Sequence, residues 1–353
     1  MIIIADKYSR IKMKHFYLIL SFILFFLLGC EPTSQSPPKV VRQYYEHGKF
    51  NGSILIAQNN QVLVDTVFGY RDLDNKSVLT KETPFYIASL SKPVTAIAIS
   101  LLEEKALLSF NDHAAKFLDS LPDYVQNITI QQLLNHTSGI KDYENILTTK
   151  GLTNNDVIHW LHRQDGLVFE PGTKFQYSNS GYIILSLIIE SVSKMTYAQF
   201  LKDNIFDPLQ MRHTTVYESN TVIPDKAIGY DSNKEVDDYS ILTTGDGGIY
   251  STTEDLYKLD KALSTNQLLS EKSTKLLYQT PLLQDGSNSQ YGYGWFIEKS
   301  DGDMIVQHTG GLAGFRSLFW RDLKNGNTII ALTNQGDAFP VFDYLNDIKK
   351  TFK

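Results

Sequence analysis

Phe85-Tyr86-Ile87-Ala88-Ser89-Leu90-Ser91-Lys92-Pro93-Val94-Thr95-Ala96-Ile97-Ala98-Ile99-Ser100 is the most telling stretch of this 353-residue chain. Its first four residues read as a strand, and residues 94–104 carry the apolar spacing of a helix. Ser89 falls at the junction, at the start of the helix, with Lys92 one turn later on the same face. Pro93 falls in the opening turn, where backbone N–H groups lack intrahelical partners and proline does no harm. Serine at such a place is also a good helix cap, so the pattern alone does not make a nucleophile. Ser-x-x-Lys starts at Ser9, Ser36, Ser89, Ser138 and Ser191, and only Ser89 lies between a strand-like segment and a helical run.

Two further motifs follow in order. Tyr177-Ser178-Asn179 comes after the loop Glu170-Pro171-Gly172-Thr173-Lys174-Phe175 and leads into the apolar run 180–193. Tyr-x-Asn recurs at Tyr143 and Tyr344, but neither copy has that setting. His308-Thr309-Gly310 occurs once, at the end of an expected strand, 304–308. Together the three motifs supply a hydroxyl, a cation, a phenol and a strand that can hold a substrate. That set suits a serine acyl-transfer enzyme using lysine and tyrosine in place of histidine and aspartate.

Runs of β-rich sequence lie at both ends of the chain. Residues 52–58 and 61–70 flank Asn59-Asn60, a hairpin pair that tolerates positive φ. Residues 294–299 and 304–308, then 317–322 and 328–334, form two more pairs, with a closing helix over about 340–352. The middle is helical, at 128–134, 153–162, 180–193 and 196–204. The expected fold is α/β of the α+β type. An antiparallel sheet is built from both chain ends, flanked by helices and interrupted by a mostly helical lobe, with the site at the join.

The sequence resembles the class C β-lactamase and DD-peptidase-like family of serine hydrolases, which share the penicillin-binding-protein fold. Asn51-Gly52-Ser53, Leu133-Leu134-Asn135-His136-Thr137-Ser138-Gly139, Gly247-Gly248-Ile249-Tyr250-Ser251-Thr252 and Tyr291-Gly292-Tyr293-Gly294-Trp295 carry the likeness. So does His308-Thr309-Gly310-Gly311 with Gly314-Phe315, and the likeness covers roughly residues 40–350. The resemblance implies that Ser89 is acylated, that Lys92 is its cationic neighbour and that Tyr177 accepts a proton. It also implies that Asn179 orients Lys92 and the substrate amide. The oxyanion would lie between the N–H of Ser89 and an N–H on the Gly310-Gly311 strand end, Gly311 being favoured. A phenol at its ordinary pKa is a poor base at pH 7; Lys92 would have to supply part of roughly 4 kcal/mol of phenolate stabilisation. Which group takes the serine proton stays open at this level. The β-lactamase members carry lysine where this chain has His308, and an ordinary histidine would be only about a quarter charged at pH 7. Weak capture of carboxylate-bearing β-lactams is therefore expected.

The leader reads separately. Lys12 and Lys14 precede an apolar run at 16–28, broken only by Ser21, and Gly29-Cys30 follows. That run is short for a bilayer span and suits a secretory signal. Leu27-Leu28-Gly29-Cys30 resembles a bacterial lipobox, with lipid attached to Cys30, the single cysteine in the chain. The expected division is a signal peptide at 1–29, a lipidated Cys30 and tether at 30–39, and one hydrolase domain at 40–353, with Met1 and Met13 both open as the start of translation. Glu31 after Cys30, in place of aspartate, would permit outer-membrane sorting in a Gram-negative cell, facing the periplasm. Removing the leader leaves 29 basic against 38 acidic side chains, a charge of −9 where the whole chain has −6. That balance argues against a nucleic-acid partner. No phosphate loop follows a strand, and His159, His162 and His213 lack metal-ligand spacing, so neither cofactor nor metal is expected. Asp246 reads as shaping a turn, and His136 as structural.

The expected function is an envelope serine hydrolase that forms an acyl-enzyme with small esters, amides or D-amino-acid peptides. The alternatives are a β-lactamase or peptidoglycan DD-carboxypeptidase, and a non-catalytic peptidoglycan or peptide receptor. Intact Ser89, Lys92 and Tyr177 argue against the last.

Overall fold

A computed structural model describes residues 36–352 except 148 and 301. The signal-peptide reading, the lipidation reading at Cys30 and the first part of the tether lie outside the described residues. Helix α1 (Pro37–Glu46) opens with two prolines at its first turn, where a missing N–H costs nothing. It buries Pro37, Val40 and Val41.

Strand β1 (Gly52–Gln58) turns into β2 (Gln61–Phe68) through Asn59 and Asn60, at φ 50° and 63°. Two successive left-handed residues give the turn the twist that the hairpin needs. The expected strand over 61–70 breaks at Gly69, φ +89°, and resumes as β3 (Tyr70–Asp72), which pairs with β4 (Ser77–Val78). Strand β5 (Phe85–Tyr86) and the single turn Ala88–Leu90 lead into α2 (Ser91–Glu104). The lobe then runs through α3 (Ile130–Leu134), α4 (Asn154–Leu161), α5 (Asn179–Ser193) and α6 (Tyr197–Leu201). Thr129 and Thr153 cap α3 and α4 with reciprocal capping boxes, so both helices start later than the hydrophobic spacing suggests. Past Leu201 the expected helix 196–204 widens into a π turn over Lys202–Phe206.

Strands β6 (Thr215–Val216) and β7 (Ile249–Ser251) complete a small sheet with β5 in the order β5-β7-β6. Helices α7 (Thr253–Ser264) and α8 (Glu271–Leu277) follow. The chain ends with β8 (Phe296–Ser300), β9 (Asp303–Leu312), β10 (Phe315–Asp322), β11 (Asn327–Thr333) and α9 (Val341–Lys349). The main sheet has the order β2-β1-β11-β10-β9-β8, every pair antiparallel. Both chain ends therefore build it, as the sequence implies.

Its middle strand, β11, is buried at all seven positions. Ile329 and Ala331 face one core with Val40, Ile54, Trp320 and Ile348; Ile330 and Leu332 face the other with Phe319 and Ile97. A strand covered on both faces loses the polar alternation of an exposed one. Helices α1 and α9 close the first face, and the helical lobe closes the second. Where the lobe meets β9, the sheet and the turn before α2 come into contact.

Candidate active site

Ser89 is partly exposed and sits inside the turn Ala88–Leu90, two residues ahead of α2. It makes no capping bond to the helix, so its hydroxyl is free of the bland role serine fills at such places. The turn is strained: Ala88 has φ +49°, in the left-handed region that a β-carbon disfavours. That conformation turns the chain sharply out of β5 before the helix begins. Gly310 lets β9 close against the turn. A β-carbon there would lie 2.3 Å from the Ile87 carbonyl oxygen, 2.4 Å from Ser317 Oγ and 3.0 Å from Ser89 N. Ser317 Oγ donates to the Ile87 carbonyl at 2.7 Å and ties β10 to the same turn.

Lys92 is fully buried beneath Ser89. Its Nζ donates to Ser89 Oγ at 3.0 Å, to Asn179 Oδ1 at 2.8 Å and to the Asp246 carbonyl at 2.9 Å. These three contacts use every N–H of an ammonium. Burial nevertheless pulls its pKa down to about 8, against the opposing pull of the Asp246 and Asp142 carboxylates. Nζ also lies 4.9 Å from the centre of the Tyr177 ring and 5.7 Å from that of Tyr182.

Tyr177 hydrogen-bonds Ser89, which favours its phenolate, but burial outweighs this and holds its pKa well above the ordinary value. Tyr182, Asp246 and Asp142 push the same way as burial. At pH 7 Tyr177 is a phenol and not a preformed phenolate. The phenolate stabilisation expected from Lys92 does not decide the state of Tyr177, because taking the ring out of water penalises its anion most.

His308 does not end its strand as expected; β9 runs four residues further, to Leu312. Its Nδ1 contacts the Thr309 carbonyl at 2.6 Å, and its Nε2 contacts the Tyr291 hydroxyl at 3.1 Å. A carbonyl only accepts, so Nδ1 carries the proton and Nε2 accepts from Tyr291. Burial and the nearby Lys92 ammonium pull its pKa down to about 3. His308 is thus neutral, not a quarter charged, because the chain buries it. The six positions Ser89, Lys92, Tyr177, Asn179, His308 and Gly310 converge, and Gly311 follows on the exposed end of β9.

The chain has known relatives. The family model described as Beta-lactamase matches residues 38–349. The chain belongs to the Beta-lactamase family. It is a serine hydrolase with the penicillin-binding-protein fold. It is 35% identical over 315 residues to Penicillin-binding protein 4* of Bacillus subtilis, covering 82% of this chain and 69% of that one. The crystal structure of a penicillin-binding protein from Bacillus halodurans superposes with a TM-score of 0.79 at 28% identity, covering 88% and 99% of the two chains. D-amino acid amidase from Ochrobactrum anthropi SV3 shares the fold at 22% identity, with a TM-score of 0.75 over 88% and 96% of the chains.

Asp142 borders this site without having been singled out in the sequence, and Asp246 and His136, expected only to shape a turn and to serve structure, border it too. Asp142 accepts from both the backbone N–H and the side-chain amide of Asn179. Asp246 does more than shape a turn: its carbonyl accepts from Lys92, and its carboxylate accepts from Tyr143 at 2.6 Å. His136 packs its ring 4.3 Å from that of Tyr177 and accepts the Ser178 N–H. Among the described residues no cluster of acidic, histidine or cysteine side chains has the arrangement of a metal site.

Proposed function

We propose that the protein acylates Ser89 with small esters, amides or D-amino-acid peptides and releases the acyl group to water. The observation that carries this reading is Lys92, buried, bonded to Ser89 Oγ and brought down to about 8. About one molecule in ten then holds the free amine at pH 7. As Oγ bonds to the carbonyl carbon, the Lys92 amine takes the hydroxyl proton and the carbonyl oxygen becomes an oxyanion. The N–H groups of Ser89 and Gly311 receive that charge. Collapse breaks the bond to the leaving group, which takes a proton from Tyr177, and the Lys92 ammonium restores it. Water then attacks the acyl carbon, gives up its proton to Lys92, and Ser89 departs protonated.

Intact-protein mass spectrometry after exposure to nitrophenyl esters, D-amino-acid amides and penicillins tests the reading. An adduct on Ser89, absent from Ser89→Ala, is expected with at least one class; no adduct with any of them refutes it. The names of the relatives favour a second reading, a penicillin-sensitive DD-peptidase. Lasting Ser89 labelling by fluorescent penicillin supports that one, whereas fast ester turnover without labelling supports the first. The neutral His308 weighs against strong carboxylate capture and so against the second.

The same proposal places the enzyme at the cell envelope through a lipid on Cys30, most simply at the outer membrane facing the periplasm. Its support is the apolar run 16–28 followed directly by Gly29-Cys30. Fatty-acid labelling lost in Cys30→Ala is expected, and a soluble cytosolic protein on fractionation refutes it.

A further inference from the structure

The Tyr177-Ser178-Asn179 segment is held by one short loop, residues 136–142. The His136 carbonyl accepts the Gln176 N–H at 3.0 Å, and its ring nitrogen Nδ1 accepts the Ser178 N–H at 3.2 Å. Six residues on, Asp142 Oδ2 accepts the Asn179 backbone N–H and the Asn179 Nδ2, each at 3.1 Å. A carboxamide has a donor end and an acceptor end of nearly the same shape. With its donor end committed to Asp142, Asn179 must turn its oxygen to Lys92, where it accepts at 2.8 Å. The reverse setting would face an NH2 group with an ammonium.

We propose that Asp142 is a positioning residue for acylation: it fixes which end of Asn179 meets Lys92 and presents a negative charge to that ammonium. The proposal rests on Lys92 being the group that takes the Ser89 proton. Other groups share the neighbourhood of Lys92. The Asp246 carbonyl and carboxylate, the faces of Tyr177 and Tyr182, and the neutral imidazoles of His136 and His308 all bear on it. Asp142 itself feels Lys92, Asp246 and Glu144. Burial raises its pKa to about 6, so it is ionised at neutral pH and protonates in mild acid. Its second oxygen, Oδ1, is buried without a partner. A carboxylate serving only to tie a loop would be better replaced by a neutral amide, which makes the charge itself the point to test.

Asp142→Asn keeps the shape and an oxygen for the Asn179 donors but removes the charge; Asp142→Ala removes both. With the acid limb of kcat/KM set by Lys92, the limb should move about one unit to lower pH in Asp142→Asn, because an opposite charge no longer favours the ammonium. Asp142→Ala should show the same move, with a plateau kcat at least tenfold below that of Asp142→Asn and little change in KM for a small ester. Thermal melts of both variants identify misfolded protein. An acid limb that stays put or rises in folded, Ser89-acylated Asp142→Asn overturns the inference and leaves the Ser89 reading standing. Equal plateau rates in the two variants would also overturn it. Failure of the wild-type protein to acylate at Ser89 would instead remove the reading beneath it, and the inference with it.

Discussion

Replacing Tyr177 by phenylalanine separates the chemistry of the phenol from its packing. The ring is wedged 4.3 Å from His136 and 6.4 Å from Phe296, and a phenylalanine fills the same space. Only the hydroxyl and its bond to Ser89 are lost. If that hydroxyl protonates the leaving group, its removal should cost about 10²–10⁴ in rate, the usual range for positioned acid–base catalysis. This corresponds to roughly 3–5 kcal/mol of barrier. The loss should depend on the leaving group. An amine or alkoxide must be protonated as it departs, whereas a nitrophenolate leaves readily as the anion. In Tyr177→Phe, kcat/KM for amides and alkyl esters should therefore fall by the full amount, and for a nitrophenyl ester by under tenfold. Steady-state rates on a matched series with one acyl group measure this directly. A uniform drop across the series would show that the phenol serves the serine and not the leaving group. Undiminished amide hydrolysis would remove Tyr177 from the mechanism.

Three other expectations follow from the same geometry. The value of kcat/KM should rise with pH through about 8, since the Lys92 amine is the active form and is lost as pH falls through that value. A profile flat down to pH 6 contradicts the assignment, and His308, brought down to about 3, should add no inflection of its own. His308→Lys should speed acylation by carboxylate-bearing penicillins roughly tenfold, the worth of one charged hydrogen bond, in a stopped-flow assay; an unchanged rate defeats the carboxylate argument. Elsewhere in the fold, Asp260 pairs with the buried Arg321, so Asp260→Ala should lower unfolding free energy by about 3–5 kcal/mol in urea titration. Pairing it with Arg321→Met should recover most of that loss, because the stranded charge is then gone.

Local chemistry made much of this protein readable before any coordinates. Asn59-Asn60 announces its hairpin, since few residue pairs accept two positive φ values in succession. The main sheet was legible because its pairs lie close in sequence at each end, even though β1 and β11 meet across nearly the whole chain. Boundaries were less legible. Strand β9 continues past His308 and Thr309 through Gly310 and Gly311, glycines with little strand preference, because β10 offers them a ladder. Helix α2 begins at Ser91 and not at Ser89, because the strained Ala88 first turns the chain.

Residue order and side-chain type were enough to single out Ser89, Lys92, Tyr177 and the strand that carries His308, for these are covalent facts carried by short motifs. The states those groups adopt depend on what folding places around them. Lys92 falls toward neutrality, Tyr177 is kept as a phenol and His308 is held uncharged because burial strips each of water, with Lys92 itself adding to the pull on His308. Solvation and charge act through space, and the partners that matter, Asp142 and Asp246, lie 50 and 154 residues from Lys92 along the chain. No reading along the backbone could assign those protonation states; packing alone brings the groups together.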